Sequence, residues 1–155
     1  MNKEVEKIKR FRLWLLAQIN GLTTEQLNKI PSGYHNNIIW NLGHMMAAQQ
    51  TLCYKRAQQA ITIGDKYFSP FLSSTKPDQY INTTEVEVIK ELFIRSIDQL
   101  QEDLEKKLFN EYTKATRIED VYGIEVSTIE DALSYLLYHE GIHSGYVLRM
   151  KDLLL

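Results

Sequence analysis

Residues 132–150 read ALSYLLYHEGIHSGYVLRM, and their spacing predicts a long helix with one inward face. Positions that advance by alternating steps of four and three form such a face on a helix packed against others. His139 and His143 occupy two of these positions, one turn apart and facing the same way. Burying two imidazoles costs free energy unless they are hydrogen-bonded or bind a ligand. The stretch therefore predicts a candidate site, on a face made of Ala132, Leu136, His139, His143, Tyr146 and Met150.

Apolar periodicity and capping residues predict three further helices. A capping box at Thr23 and Gln26 adds a short helical turn, and one at Ser127 and Glu130 opens the last helix. The first helix is predicted at about 3–20, the second from 36 or 37 to about 63, the third from 83 or 84, and the fourth to about 153.

Two longer connections separate these helices. GDKYFSPFLSSTKPDQYINTT (64–84) contains two prolines, and FNEYTKATRIEDVYGIEV (109–126) ends in a strand-like VYGIEV that predicts a small hairpin or an extended flap. Four helices in a chain of 155 residues predict an all-α fold. We expect a single domain over 1–155, a four-helix bundle with two longer irregular connections.

The composition is that of an ordinary soluble globular protein, with 44% hydrophobic and 25% charged residues. The net charge of −2 and the lack of a long basic block argue against nucleic-acid binding. The single cysteine, Cys53, cannot form an internal disulfide, which favours a cytoplasmic location. Neither a signal peptide nor a membrane-length apolar stretch is present in the sequence, so we expect no membrane partner.

A third histidine, His44, lies on the predicted second helix in NNIIWNLGHMMAAQQTL (36–52). The fourth, His35, precedes that helix in a loop and is interpreted as a surface residue. Small residues near the histidines predict open space, as a ligand pocket requires: Ala47 and Ala48 one turn after His44, and Gly141 and Gly145 around His143.

The segment HEGIH (139–143) fits the H-E-x-x-H pattern of zinc metalloproteases. Such a protease needs a third ligand after this helix, and Asp152 is the only carboxylate that follows His143. The longer metzincin motif requires glycine where this chain has Tyr146. A facing helix can supply the third ligand instead, and His44 is the suitable donor.

The combination of WNLGHMMAAQQ (40–50) and HEGIHSGYVLRMKDLL (139–154) resembles the DinB/YfiT-like superfamily. The resemblance covers nearly the whole chain, including LTTEQL (22–27). It implies a four-helix bundle with one histidine on the second helix and an H-x-x-x-H pair on the fourth. In that family the three histidines bind a divalent metal, which implies that His44, His139 and His143 are ligands.

Members of that family with an assigned activity are thiol-dependent S-transferases that use bacillithiol, mycothiol or glutathione. We therefore expect a divalent-metal-dependent enzyme, a thiol S-transferase or hydrolase, that acts on small molecules and uses a low-molecular-weight thiol. Zinc or nickel is favoured, and three histidines also suit iron or manganese. The alternative is a non-catalytic metal- or ligand-binding bundle.

The resemblance favours a homodimer over a monomer. The first helix has apolar residues on more than one face, which suits either a partner or a fully buried helix: Phe11, Leu13, Trp14, Leu15 and Leu16.

Other residues near the histidines are weaker candidates. Glu140 is a candidate general base or an interhelical carboxylate, and Tyr146 a candidate catalytic group or a packing residue. Asn37 and Asn41 would orient an imidazole or cap the second helix. Further pocket candidates are Tyr138 and Arg149.

Overall fold

The computed structural model describes residues 1–155 and is all-helical, which confirms the all-α prediction. No strand is present. No helix combines the length and the apolar composition that a bilayer crossing needs. The α-helices are α1 (Lys3–Ile19), α2 (Thr24–Asn28), α3 (Ile38–Gln49), α4 (Thr83–Glu105), α5 (Thr116–Tyr122) and α6 (Ile129–Leu154). A π-helical segment, Gln50–Tyr54, continues α3, and 3₁₀ turns cover Lys55–Ala57, Asp65–Tyr67 and Ser69–Phe71.

Side-chain caps define the helix starts. The capping box of Thr23 and Gln26 is confirmed at α2. The box predicted at Ser127 and Glu130 is wrong by one residue, because Thr128 and Asp131 form it. The Asp131 carboxylate accepts from the backbone N–H groups of both Ser127 (3.0 Å) and Thr128 (3.1 Å), while the Ser127 hydroxyl donates to Glu125.

The helix containing His44 ends earlier than the predicted residue 63. The chain leaves the helix at Gln58, which has a left-handed backbone (φ 59°). The Gln50 side chain accepts a 2.7 Å hydrogen bond from the Thr62 N–H and so holds the returning chain against the helix. The sequence predicts the end next to Gly64 because glycine is the residue that commonly ends a helix in a left-handed conformation, and glutamine seldom does.

The predicted hairpin at VYGIEV is wrong. Residues up to Tyr122 belong to α5, which ends where Gly123 adopts a left-handed conformation (φ 68°). Residues 124–127 have no regular secondary structure, and one backbone hydrogen bond, from the Ala115 N–H to the Val126 carbonyl, attaches them to the start of α5. Val126 is fully buried, so the apolar side chain that gives this segment its strand-like composition packs in the core between the helices.

The four long helices pack around a shared core: α1 and α3 each contact both α4 and α6. Two apolar clusters fill opposite ends. The first contains the C-terminal halves of α1 and α6 with α3 and the N-terminal half of α4, and the second contains the N-terminal halves of α1 and α6 with the segment after α3 and the C-terminal half of α4. Helices α1 and α6 therefore run in one direction and α3 and α4 in the other. The first cluster includes Ile19, Leu42, Ile89 and Met150, and the second includes Ile8, Leu52, Leu100 and Leu136.

Helix α1 is not fully buried, so full burial does not explain why apolar residues occur on more than one of its faces. Leu15 is completely covered, but Phe11, Leu13 and Trp14 are each more than 40% exposed.

A buried polar layer lies between the two apolar clusters. Arg12 of α1 is 1% exposed and donates to both carboxylate oxygens of Glu140 on α6, with Nη2–Oε1 at 2.6 Å and Nε–Oε2 at 3.1 Å. Its Nη1 donates to Gln49 of α3 (2.9 Å) and to the Phe93 carbonyl of α4 (2.9 Å). One guanidinium thus joins all four long helices and sets the rotation of α6 beside His139.

Candidate metal centre

The imidazoles of His44, His139 and His143 converge, although His44 is 95 residues from His139 in the sequence. One candidate ligand atom from each ring lies within 4.8 Å of the other two. The Nε2 atoms of His44 and His139 are 3.2 Å apart. Two nitrogens bound to one tetrahedral zinc at about 2.0–2.1 Å lie about 3.3–3.4 Å from each other. The spacing of this pair therefore fits a shared ion.

Two hydrogen bonds set the tautomers of His44 and His143. The Nδ1 of His44 lies 2.8 Å from the backbone carbonyl of Phe71, which can only accept. The Nδ1 of His143 lies 2.8 Å from Oδ1 of Asn41, whose Nδ2 donates to the Asn37 carbonyl. Both histidines must therefore donate from Nδ1, and their Nε2 lone pairs stay available to a metal.

His139 is held by packing more than by hydrogen bonds. Its Nδ1 is buried without a hydrogen-bond partner, and its Nε2 points to His44. The ring lies 4.4 Å from that of His143 and 5.0 Å from that of His44, measured between centroids. The Nε2 atom of His139 therefore faces the place where an ion would sit, and its Nδ1 atom points away from the other two imidazoles without a hydrogen-bond partner.

The three imidazoles are neutral at neutral pH. Burial lowers the pKa of His139 to about 2, and the nearby His143, His44 and Arg12 add to that effect. Burial, with a contribution from His44, lowers the pKa of His143 to about 4, and burial also lowers the pKa of His44. Only unprotonated imidazoles bind metals, so protons compete weakly for this site.

The cluster faces a cavity of about 450 Å³. Ala47 and Ala48 line this cavity beside His44, which confirms the open space predicted there. Trp40 stacks on the His44 ring with centroids 4.7 Å apart and planes 5° apart. Tyr135 lines the side nearer His139. Val121, Tyr122 and Ile142 also line the cavity and are at least half exposed, so the cavity opens to solvent.

The inner face predicted for α6 is rotated relative to the observed one. Ala132, Leu136 and Met150 are buried as expected, but Tyr146 is 46% exposed. The buried face instead includes Leu133, Glu140, Ser144 and Val147. His139 and His143 lie at its margin, partly buried, which is why they reach the cavity and not the core.

The glycines of α6 do not make room for His143. Gly141 and Gly145 are exposed, and a Cβ at either position would meet no other atom within 4 Å. The prediction that they border the pocket is wrong, because they occupy the solvent side of the helix.

The weaker candidates take structural positions. Glu140 forms the interhelical ion pair with Arg12 and does not line the cavity. Tyr146 contacts His143 edge-on, with centroids 5.8 Å apart, outside the cavity lining. Asn41 orients an imidazole, whereas Asn37 caps α3. The remaining candidates, Tyr138 and Arg149, are exposed and do not line the cavity, and His35 is exposed, as predicted.

The Phe71 carbonyl is a site group that no sequence pattern indicates, because every residue has a carbonyl. Its position depends on Gly43, which is buried in α3 next to His44. A Cβ at Gly43 would overlap the Phe71 ring far inside van der Waals contact. The glycine in mid-helix therefore permits the close approach that places the Phe71 carbonyl on His44.

We expect Gly43→Ala to weaken zinc binding by about 10–100-fold, the usual cost of losing a hydrogen-bond partner of a ligand. Displacement of the Phe71 ring should also lower the free energy of unfolding by about 1–3 kcal/mol. Calorimetric zinc titration and urea unfolding measure the two effects.

Gly141→Ala is the matched control, since its new Cβ meets nothing. That variant should gain up to about 1 kcal/mol of stability from helix propensity and keep its zinc affinity. Unchanged zinc affinity in Gly43→Ala would show that the Phe71 carbonyl does not orient His44.

One of three comparisons with known proteins gives a match. Comparison with curated proteins and with solved structures gives no match. A family model described as the DinB superfamily matches residues 9–147, a span that contains all three converging histidines. The chain belongs to the DinB superfamily.

Proposed function

We propose that this chain is a metal-dependent enzyme that acts on small molecules, built as a four-helix bundle of α1, α3, α4 and α6. His44, His139 and His143 would hold one divalent ion. The observation that supports this function most is the cavity of about 450 Å³ onto which all three imidazoles face. A small molecule can reach the histidines through its exposed rim.

The donor set favours a functional ion over a structural one. Structural zinc sites use four protein ligands, whereas catalytic sites use three and leave one position for substrate or water. The cluster contains three histidines and no further cysteine, aspartate or glutamate. Zinc and nickel suit such a site best, and iron or manganese is compatible. The ion would supply a Lewis acid that lowers the pKa of a coordinated water or thiol.

The protein groups around the histidines have separate tasks in this proposal. The Phe71 carbonyl and Asn41 hold two imidazoles in fixed orientations. Trp40 and the alanines beside His44 form an apolar wall that excludes water from a bound substrate. Burial raises the pKa of Tyr135, so its hydroxyl stays protonated and can donate a hydrogen bond to substrate.

We propose thiol S-transfer as the reaction. The chain has no thiol of its own for this chemistry: Cys53 belongs to the apolar cluster at the α6 N-terminal end, and burial raises its pKa to about 12. A low-molecular-weight thiol must therefore bind from solution. Its sulfur forms a bond to an electrophilic carbon, the bond from that carbon to a leaving group breaks, and the thiol proton passes to solvent.

Zinc- or nickel-loaded protein should accelerate formation of a thioether from a low-molecular-weight thiol and monochlorobimane, with chloride as the leaving group. Fluorescence and mass spectrometry detect the product. His139→Ala should lose the activity, and His35→Ala, which changes an exposed histidine outside the cavity, should keep it. Stoichiometric metal binding without thioether formation for any thiol in a panel would contradict S-transfer. If no ester or amide were hydrolysed either, the non-catalytic metal-binding alternative would replace it.

A further inference from the structure

The cavity that contains the histidines has one formally charged side chain in its lining, Arg117 of α5. No carboxylate lines it, and most other lining residues are apolar or aromatic. A positive group in such surroundings attracts anions more strongly than one on an open polar surface.

Arg117 has no ion-pair or hydrogen-bond partner in the protein, although acidic residues are close in sequence. Lys114 forms ion pairs with two of them: its Nζ lies 2.6 Å from a carboxylate oxygen of Glu119 and 3.8 Å from one of Glu125. The guanidinium of Arg117 is exposed at the cavity. All of its donors are therefore available to a ligand.

Helix α5, which contains Arg117, lies beside Tyr135: the rings of Tyr122 and Tyr135 are 6.2 Å apart between centroids, and all three residues line the cavity. The charge of Arg117 acts on the Tyr135 hydroxyl and lowers the pKa of that group, against the larger raising effect of burial. The Tyr135 ring lies 6.2 Å from that of His139 between centroids. A positive group, an aromatic ring and the histidine cluster thus follow one another along a single wall.

We propose that the cavity binds a small molecule that has an apolar body and a carboxylate, with the carboxylate on Arg117 and the body directed toward the histidines. A guanidinium suits this task because its N–H groups match the two oxygens of a carboxylate. The inference deepens the proposed function by assigning a substrate class to the same cavity.

The test uses two probes of equal shape, 3-phenylpropionate and its neutral amide, 3-phenylpropionamide. Calorimetry or NMR titration measures the binding of each to metal-free and zinc-loaded protein. Metal-free wild type should bind the carboxylate about threefold to tenfold more tightly than the amide, as for a partly solvated charge-assisted pair. Arg117→Gln should remove that preference, and Arg117→Lys should keep part of it.

Arg95→Gln is the matched control, because Arg95 is exposed on α4, pairs with Glu91 and does not line the cavity. It should bind both probes as wild type does. Equal affinities for the two probes, a preference that survives Arg117→Gln, or no binding of either probe would overturn the proposal. A preference that appears only after zinc loading would also overturn it, since the carboxylate would then bind the zinc ion and not Arg117. The metal-free measurement does not depend on catalysis or on zinc binding, so it separates this proposal from the proposed function.

Discussion

Glu140→Ala should lower the free energy of unfolding by about 3–5 kcal/mol, because it leaves the charge of Arg12 buried without a partner. Both side chains are almost completely covered, at 1% exposed for Arg12 and 3% for Glu140. The guanidinium would keep its bonds to Gln49 and to the Phe93 carbonyl, but neither of these groups is charged. Urea unfolding of metal-free protein, followed by circular dichroism, measures the loss.

Two further variants separate the unpaired charge from other effects. Glu91→Ala removes the acid of an exposed pair with Arg95 and should cost no more than about 0.5 kcal/mol. The double variant Arg12→Met with Glu140→Leu removes both buried charges and should recover most of the stability.

Glu140 occupies the position of the general base in an H-E-x-x-H metalloprotease, so its variants also test the choice between a base and a structural carboxylate. In this fold the carboxylate contacts Arg12 and is turned away from the cavity. Loss of less than about 1 kcal/mol in Glu140→Ala, together with loss of catalysis, would contradict the structural role.

His143→Ala should abolish stoichiometric zinc binding and leave the fold intact. Removing a ligand should cost more than the 10–100-fold that follows loss of a ligand's hydrogen-bond partner. The metal-free fold should tolerate the change, because alanine favours helix and the imidazole is a desolvated polar group at the margin of the core. Zinc titration and thermal unfolding, each with and without a chelator, test both parts.

In wild type, zinc should raise the melting temperature by linkage, and in His143→Ala it should not. His35→Ala is the control, since His35 is exposed and does not belong to the three-histidine cluster. Extensive loss of helix when wild type is chelated would contradict this prediction, because it would make the ion a structural requirement.

Sequence periodicity identified the histidine cluster because two of its members repeat at helical spacing on one face of α6. The third, His44, follows from the need for a donor on a facing helix. Asn41 could also be predicted from the sequence, since it lies on the same side of α3 as His44, close to one turn earlier. The spacing of residues along one helix is a local feature, and it can be recognised without knowledge of the tertiary fold.

The rest of the site depends on contacts that have no local pattern. The Phe71 carbonyl reaches His44 from a connection that contains only short 3₁₀ turns. Arg117 comes from α5, which lies in the stretch 109–126 that the sequence predicted as an irregular connection. Arg12 looks like a surface residue of α1 because its counter-charge is 128 positions away. Each case requires tertiary packing that overrides the local preference of the residue.

The measurement that tests the metal centre most directly is a long-range ¹H–¹⁵N NMR spectrum of the histidine rings at neutral pH, recorded with and without zinc. Without zinc, His44 and His143 should show protonated Nδ1 atoms, as their bonds to Phe71 and Asn41 require. One equivalent of zinc should shift the Nε2 signals of His44, His139 and His143 and leave His35 unchanged. Unchanged Nε2 signals at saturating zinc, or coordination through Nδ1 of His44 or His143, would contradict the three-histidine centre.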